Sequence, residues 1–144
     1  MIYTDNTKKA MKLCFKAHKD QVDKSGMPYV FHPFHVAEQM TDEATTIVAL
    51  LHDVVEDTDY TLEDIAAEGF GKDILEAVAL MTHEDDIPYL DYVAKLKENP
   101  IARAVKLADL AHNSDLSRIG EIDEETKRRL EKYKKAKDIL ESGK

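Results

Sequence analysis

Ala10, Leu13, Cys14 and Ala17 fall at i, i+3, i+4 and i+7, and Ile47, Leu50, Leu51 and Val54 repeat that interval. Residues so spaced share one face of an α-helix, and each such face is covered only by packing against other elements. No alternating run of β-branched residues asks for a sheet, and five Gly and four Pro leave little punctuation for a β-rich chain. The expected class is all-α. Between the two stripes, Lys24-Ser25-Gly26-Met27-Pro28 reads as a loop, and His32-Pro33 as the start of a helix from about Pro33 to Met40. Thr61-Leu62-Glu63-Asp64 has the form of a capping box opening a short helix that Gly69 and Gly71 end. Further helices are expected near residues 72–82, 88–98 and 100–117. From Glu124 onward, Leu130, Tyr133, Lys137 and Leu140 mark the inner stripe of a last, highly charged helix within about 123–141.

A chain of 144 residues suits one domain, 1–144, with one main site. Cys14, the single cysteine, lies in an apolar stretch and is expected to pack as a small hydrophobe. No N-terminal apolar run resembles a signal peptide, and no stretch approaches the roughly 20 apolar residues of a membrane span, so a cytoplasmic protein is expected. The formal net charge of −9 argues against a nucleic-acid partner, because phosphate-backbone binding wants a basic face. A nucleotide remains compatible with it, since a bound divalent ion can dominate the local field. The last helix can cover its own domain or join a second copy, which leaves a homo-oligomer open.

The stretch Leu50-Leu51-His52-Asp53-Val54-Val55-Glu56-Asp57 sets four titratable groups into a segment otherwise bent on burial. Read as continuous helix, it stacks His52 with Glu56 and Asp53 with Asp57 at i, i+4. Carboxylates so crowded repel one another without a cation, and a divalent metal supplies one. A His-Asp pair does not complete a coordination sphere, so further ligands must come from elsewhere. His32 and His35 near the second helix and Asp109 within Ala104-Val105-Lys106-Leu107-Ala108-Asp109 are the candidates, with Lys106 and Asn113 on the face of Asp109. Spacing leaves the choice between His32 and His35 open. His18 and His112 read as supporting or structural, and His83, beside Glu84, Asp85 and Asp86, as part of an acidic surface loop.

Three blocks carry a family resemblance: Lys24-Ser25-Gly26-Met27-Pro28-Tyr29-Val30-Phe31-His32-Pro33, then Leu51-His52-Asp53-Val54-Val55-Glu56-Asp57-Thr58, then Val105-Lys106-Leu107-Ala108-Asp109 followed by His112-Asn113. In this order, from about residue 5 to 118, they resemble the hydrolase domain of RelA/SpoT-type alarmone enzymes, within the HD superfamily. The resemblance implies a single helical bundle of about seven to nine helices and a manganese ion bound by His32, His52, Asp53 and Asp109. It further implies that Glu56 and Asp57 act beside the metal, and Asn113 matches the family residue near the base and ribose; Lys24 and Lys106 are the natural phosphate contacts, with Arg103 adding charge. The implied reaction is metal-dependent removal of pyrophosphate from the ribose 3′ position of (p)ppGpp.

The chain departs from the family pattern around the nucleoside. Asp23 stands where the family commonly has Arg, and Ser114, Asp115 and Leu116 stand where it often continues Met-Arg-Thr. Tyr29, Tyr89 and Tyr92 could offer a replacement stacking surface. The competing expectations are an HD phosphohydrolase for another nucleotide or a phosphorylated dinucleotide such as NADPH, and a non-catalytic nucleotide-sensing or partner-binding module on the same scaffold.

Overall fold

The computed structural model describes residues 1–142. Its α-helices are α1 (Asp5–His18), α2 (Phe31–Glu38), α3 (Glu43–Leu51), α4 (Val54–Asp57), α5 (Leu62–Ala67), α6 (Lys72–Met81), α7 (Tyr89–Leu96), α8 (Pro100–Asn113) and α9 (Glu124–Glu141). A short 3₁₀ turn, Leu116–Arg118, links the last two. The only strand-like pairing among the described residues is one bridge between Val22 and Pro28 in the α1–α2 loop.

Local chemistry sets most of the helix starts. Thr4 and Thr61 form capping boxes with Thr7 and Asp64, Asp42 accepts from the Thr45 N–H, and Asn99 accepts from Ile101 and Ala102 ahead of a helix opened by Pro100. Each side chain satisfies a backbone donor that the first helical turn leaves unpaired. Gly69, at φ +91°, supplies the left-handed residue that turns the chain after α5.

α3 is the hub. Every residue from Thr45 to Leu51 is buried, and the helix packs against α1, α2, α6 and α8. A segment that is apolar all round from Ile47 on, with the Thr45 and Thr46 hydroxyls satisfied by Asp42, belongs in the middle of a bundle. Cys14 is buried in the same core, as its neighbours predict. α9 lies across α7 and α8.

Two boundaries and one buried stripe differ from the sequence reading. The segment expected to continue helically through Val54 breaks at His52 and Asp53, between α3 and α4. The His52 ring bonds through Nδ1 to the Ala49 carbonyl at 2.6 Å, the acceptor that the Asp53 N–H would use if the helix ran on. The helix expected over 100–117 ends at Asn113. The Asp115 carboxylate takes the Ser117 N–H at 3.0 Å, a local bond that competes with continued helix. On α9, Lys137 faces solvent and Ala136 is buried in its place, because the inner stripe steps by three from Tyr133 rather than by four.

Candidate metal centre and adjoining cavity

His32 comes from the first turns of α2, His52 and Asp53 from the break between α3 and α4, and Asp109 from α8. Each of the four offers a donor atom, and these lie within 4.8 Å of one another. His32 Nε2 is 2.8 Å from Asp109 Oδ1 and 3.9 Å from Asp53 Oδ2, while His52 Nε2 is 3.1 Å from Asp53 Oδ2 and 3.4 Å from Asp109 Oδ1. Consecutive residues on an unbroken helix project about 100° apart. The break after Leu51 lets His52 and Asp53 face one point.

The electrostatics of the cluster call for a cation. Burial opposes a charged His52 ring, yet the charges of Asp53 and then Asp109 outweigh it and hold the imidazole pKa well above the usual histidine range. Burial likewise opposes ionised Asp109, but the Lys106 ammonium and the two rings hold its carboxyl well below the usual range. His52 Nε2 is fully buried beside both carboxylates and makes no aligned hydrogen bond, so it is an unsatisfied polar atom aimed at the centre. Two imidazole nitrogens and two carboxylate oxygens, one of them orphaned, fit a divalent ion of the Mn, Fe or Zn kind.

Neighbouring side chains orient these groups. Lys106 Nζ donates to Asp109 Oδ2 at 2.9 Å and Asn113 Nδ2 to Asp109 Oδ1 at 3.1 Å. The Tyr29 hydroxyl donates to Asp53 Oδ2. The second nitrogen of each histidine is also engaged: His52 Nδ1 by the Ala49 carbonyl, and His32 Nδ1 by His112 Nδ1 at 2.8 Å. Such partners fix ring orientation around a metal.

Among the other sequence candidates, Glu56 and Asp57 close the single turn of α4; both residues are exposed as a whole, but the Asp57 carboxyl is partly enclosed beside Asp53 and Tyr29. Glu56 Oε1 accepts from the His83 N–H at 2.7 Å, tying α4 to the α6–α7 connection. Burial, then the charges of Asp53 and Glu56, push the Asp57 carboxyl up to about 6. The Gln21 side-chain amide donates to the Asp57 carbonyl at 2.7 Å, and buried His18 bonds Gln21 at 2.8 Å. His35 lies outside the cluster, stacked on His112 at 3.9 Å. Lys106 is buried, its ammonium near the rings of Tyr89 and Tyr92. Tyr92 is buried with its hydroxyl on the Met81 carbonyl at 2.5 Å, which makes it a core residue rather than a stacking platform. Arg103 binds the Leu140 carbonyl at 2.7 Å and so anchors α9.

A cavity of about 1060 Å³ adjoins the cluster, with Tyr29 and Asn113 at their common wall. Lys24 and Asp23 line it from the α1–α2 loop, Arg118 from the 3₁₀ turn, and Arg129 and Tyr133 from α9. The sequence reading missed this use of α9 and Arg118. No motif marks them, because α9 reaches the cavity only by packing over α8, and Arg118 only by the turn that carries it back toward Asp23. Lys24 lies 3.7 Å from Glu125, and Asp23, 3.7 Å from Arg118, also accepts the Ser25 and Met27 N–H groups.

Comparison with known proteins agrees with this geometry. A family model described as HD domain matches residues 10–136. The chain is 40% identical over 120 residues to the guanosine-3′,5′-bis(diphosphate) 3′-pyrophosphohydrolase of Mus musculus, covering 72% of this chain and 66% of that protein. It is 33% identical, over 92% of its own length, to a GTP pyrophosphokinase of Streptomyces coelicolor, of which it spans only 16%. The chain therefore covers a little under two thirds of one relative and about a sixth of the other. Among solved structures, a metazoan ortholog of SpoT that hydrolyses ppGpp superimposes with a TM-score of 0.76 at 27% identity, over 99% of this chain and 89% of that one.

Proposed function

Because this chain belongs to the HD-domain family, we propose that it is a metal-dependent phosphohydrolase that releases pyrophosphate from the 3′ position of (p)ppGpp. The observation that carries this reading is the convergence of His32, His52, Asp53 and Asp109, with one orphaned imidazole nitrogen, beside a cavity of nucleotide size. The named activities of the mouse relative and of the metazoan structure supply the substrate.

His32, His52, Asp53 and Asp109 would hold the ion, for which we propose Mn²⁺, in a cytoplasmic enzyme. A divalent ion there supplies Lewis acidity toward water and a phosphoryl oxygen. Asp57, with a carboxyl near 6, is ionised at neutral pH and still basic enough to take a proton from the attacking water. Glu56 stands beside it, braced by the His83 amide. The bond between the ribose 3′ oxygen and phosphorus breaks, the water oxygen ends on phosphorus, the 3′ oxygen takes up a proton to become a hydroxyl, and the products are pyrophosphate and GDP or GTP. Lys24 at the cavity wall would meet a phosphate, Asn113 would bridge the nucleoside to Asp109, and Lys106 would act through the Asp109 carboxylate that it holds.

One observation favours a second reading, hydrolysis of another nucleotide or of a phosphorylated dinucleotide such as NADPH. Asp23 is ion-paired with Arg118 and Asp115 is bonded to Ser117, so anions stand at places where the family pattern has cations. Incubating the protein with Mn²⁺ and ppGpp, NADPH or a panel of nucleoside phosphates, and resolving products by anion exchange, separates the readings. GDP and pyrophosphate are expected, and Asp53→Asn should remove the activity. Faster turnover of a non-guanine substrate would favour the second reading, and undiminished turnover in Asp53→Asn would overturn the metal assignment.

A further inference from the structure

The two histidines of the cluster are held by different kinds of partner. His52 gives its Nδ1 proton to the Ala49 carbonyl at 2.6 Å, and a carbonyl is an acceptor in every state of the protein. The ring is therefore held with Nε2 toward the centre, where a bound ion would take the place of the Nε2 proton. His32 has no such carbonyl. Its Nδ1 lies 2.8 Å from His112 Nδ1, and the two rings are nearly parallel, 9° apart. An imidazole nitrogen can donate or accept, so this bond does not lock one tautomer; it couples two.

Proton placement follows from the neighbours. When Nε2 of His32 carries the proton, Asp109 Oδ1 accepts it at 2.8 Å, and His32 Nδ1 can accept from the Nδ1–H of His112. When Nε2 instead offers its lone pair to an ion, the neutral ring must carry its proton on Nδ1. His112 must then be the acceptor and carry its own proton on Nε2. His112 itself is steadied by His35, stacked on it at 3.9 Å. In the exchange, the Nδ1 proton of His112 passes to His32 Nδ1, His112 Nε2 takes one proton from water, and His32 Nε2 loses one to water. The count balances.

We propose that His112 is a positioning residue whose side chain accepts the Nδ1 proton of His32, and that metal affinity depends on a hydrogen-bond acceptor at position 112. The inference rests on the ligand set proposed above. Removing a partner of this kind typically weakens metal affinity about 10- to 100-fold.

The test uses Mn²⁺ as the probe and calorimetric binding as the readout, with no substrate present. His112→Phe keeps an aromatic ring between His32 and His35 but removes the acceptor, and should bind Mn²⁺ about 10- to 100-fold more weakly than the unaltered chain. His112→Asn, whose carbonyl oxygen can stand near the place of Nδ1, should restore most of the affinity. Equal affinity in His112→Phe, or equal loss in both variants, would overturn the proposal. Should His112→Phe fail to fold, histidine ¹⁵N spectra of the unaltered protein with and without the diamagnetic ion Zn²⁺ decide the matter. A shift of the His32 proton from Nε2 to Nδ1, paired with the reverse shift in His112, is expected, and an unchanged His112 tautomer would refute it. If the unaltered chain fails to bind any divalent ion, it is the ligand set that falls.

Discussion

Asp57 holds its place against its own electrostatics. Partial enclosure, then the charges of Asp53 and Glu56, push its carboxyl up to about 6 in the folded chain, against about 3.9 for an unfolded Asp. Between those values the folded state binds more protons than the unfolded one, so stability falls as pH rises from about 4 to 6 and stays lowered above. Asp57→Asn should therefore raise the melting temperature of the ion-free protein at about pH 7.5, with the gain vanishing as pH falls to about 4. The same substitution should cut turnover by about 10²- to 10⁴-fold, the usual worth of a positioned base. A melting temperature that drops at neutral pH would contradict the repulsive environment, and unchanged turnover would remove Asp57 from proton transfer. The four metal candidates were readable as residue types in the sequence, but spacing left His32 and His35 equivalent. Packing separates them: His32 is buried against Asp109 and His35 lies outside on His112.

Among the elements, α3 and α8 carry the site. α3 is legible as a helix from its apolar spacing, whereas its end is not. A hydrogen bond from the His52 ring to the Ala49 carbonyl ends it, and no periodicity reports where a side chain will compete with the backbone. α8 brings Asp109, His112 and Asn113 to the site on one helix, so its first turn bears on all three. Asn99 accepts two backbone N–H groups there, at 3.0 and 3.1 Å. Asn99→Ala should lower unfolding stability by about 1 kcal/mol, read as a lower urea midpoint with an unchanged slope. A midpoint identical to that of the unaltered chain would mean that Pro100 and tertiary packing alone hold the helix start.

For the molecule as a whole, the candidate ligands come from three segments, with His32 and Asp109 separated by 77 residues. The unfolded chain has no such cluster, so an ion that binds it binds the folded state and stabilises it by mass action. At a free ion concentration about 100 times Kd the gain is about 2.7 kcal/mol. Thermal melts of metal-stripped protein should move upward with added Mn²⁺, while Asp109→Asn should give a nearly flat titration. A rise of the same size in that variant would place the ion elsewhere. The wall that α9 gives the cavity also belongs to this scale, since it depends on the packing of α9 across α7 and α8.

By itself the sequence determined the all-α class, most helix starts and the residue types of a metal-assisted phosphohydrolase. Those features are written in short-range spacing, in capping chemistry and in motif blocks, all of which act within a few residues. Only the tertiary structure decided the break at His52-Asp53, the separation of His32 from His35, the engagement of Lys106 with Asp109 and the part of α9 in the cavity. Each depends on which distant groups meet. That is settled by packing around α3 and by where buried polar atoms find partners, neither of which is a local property of the chain.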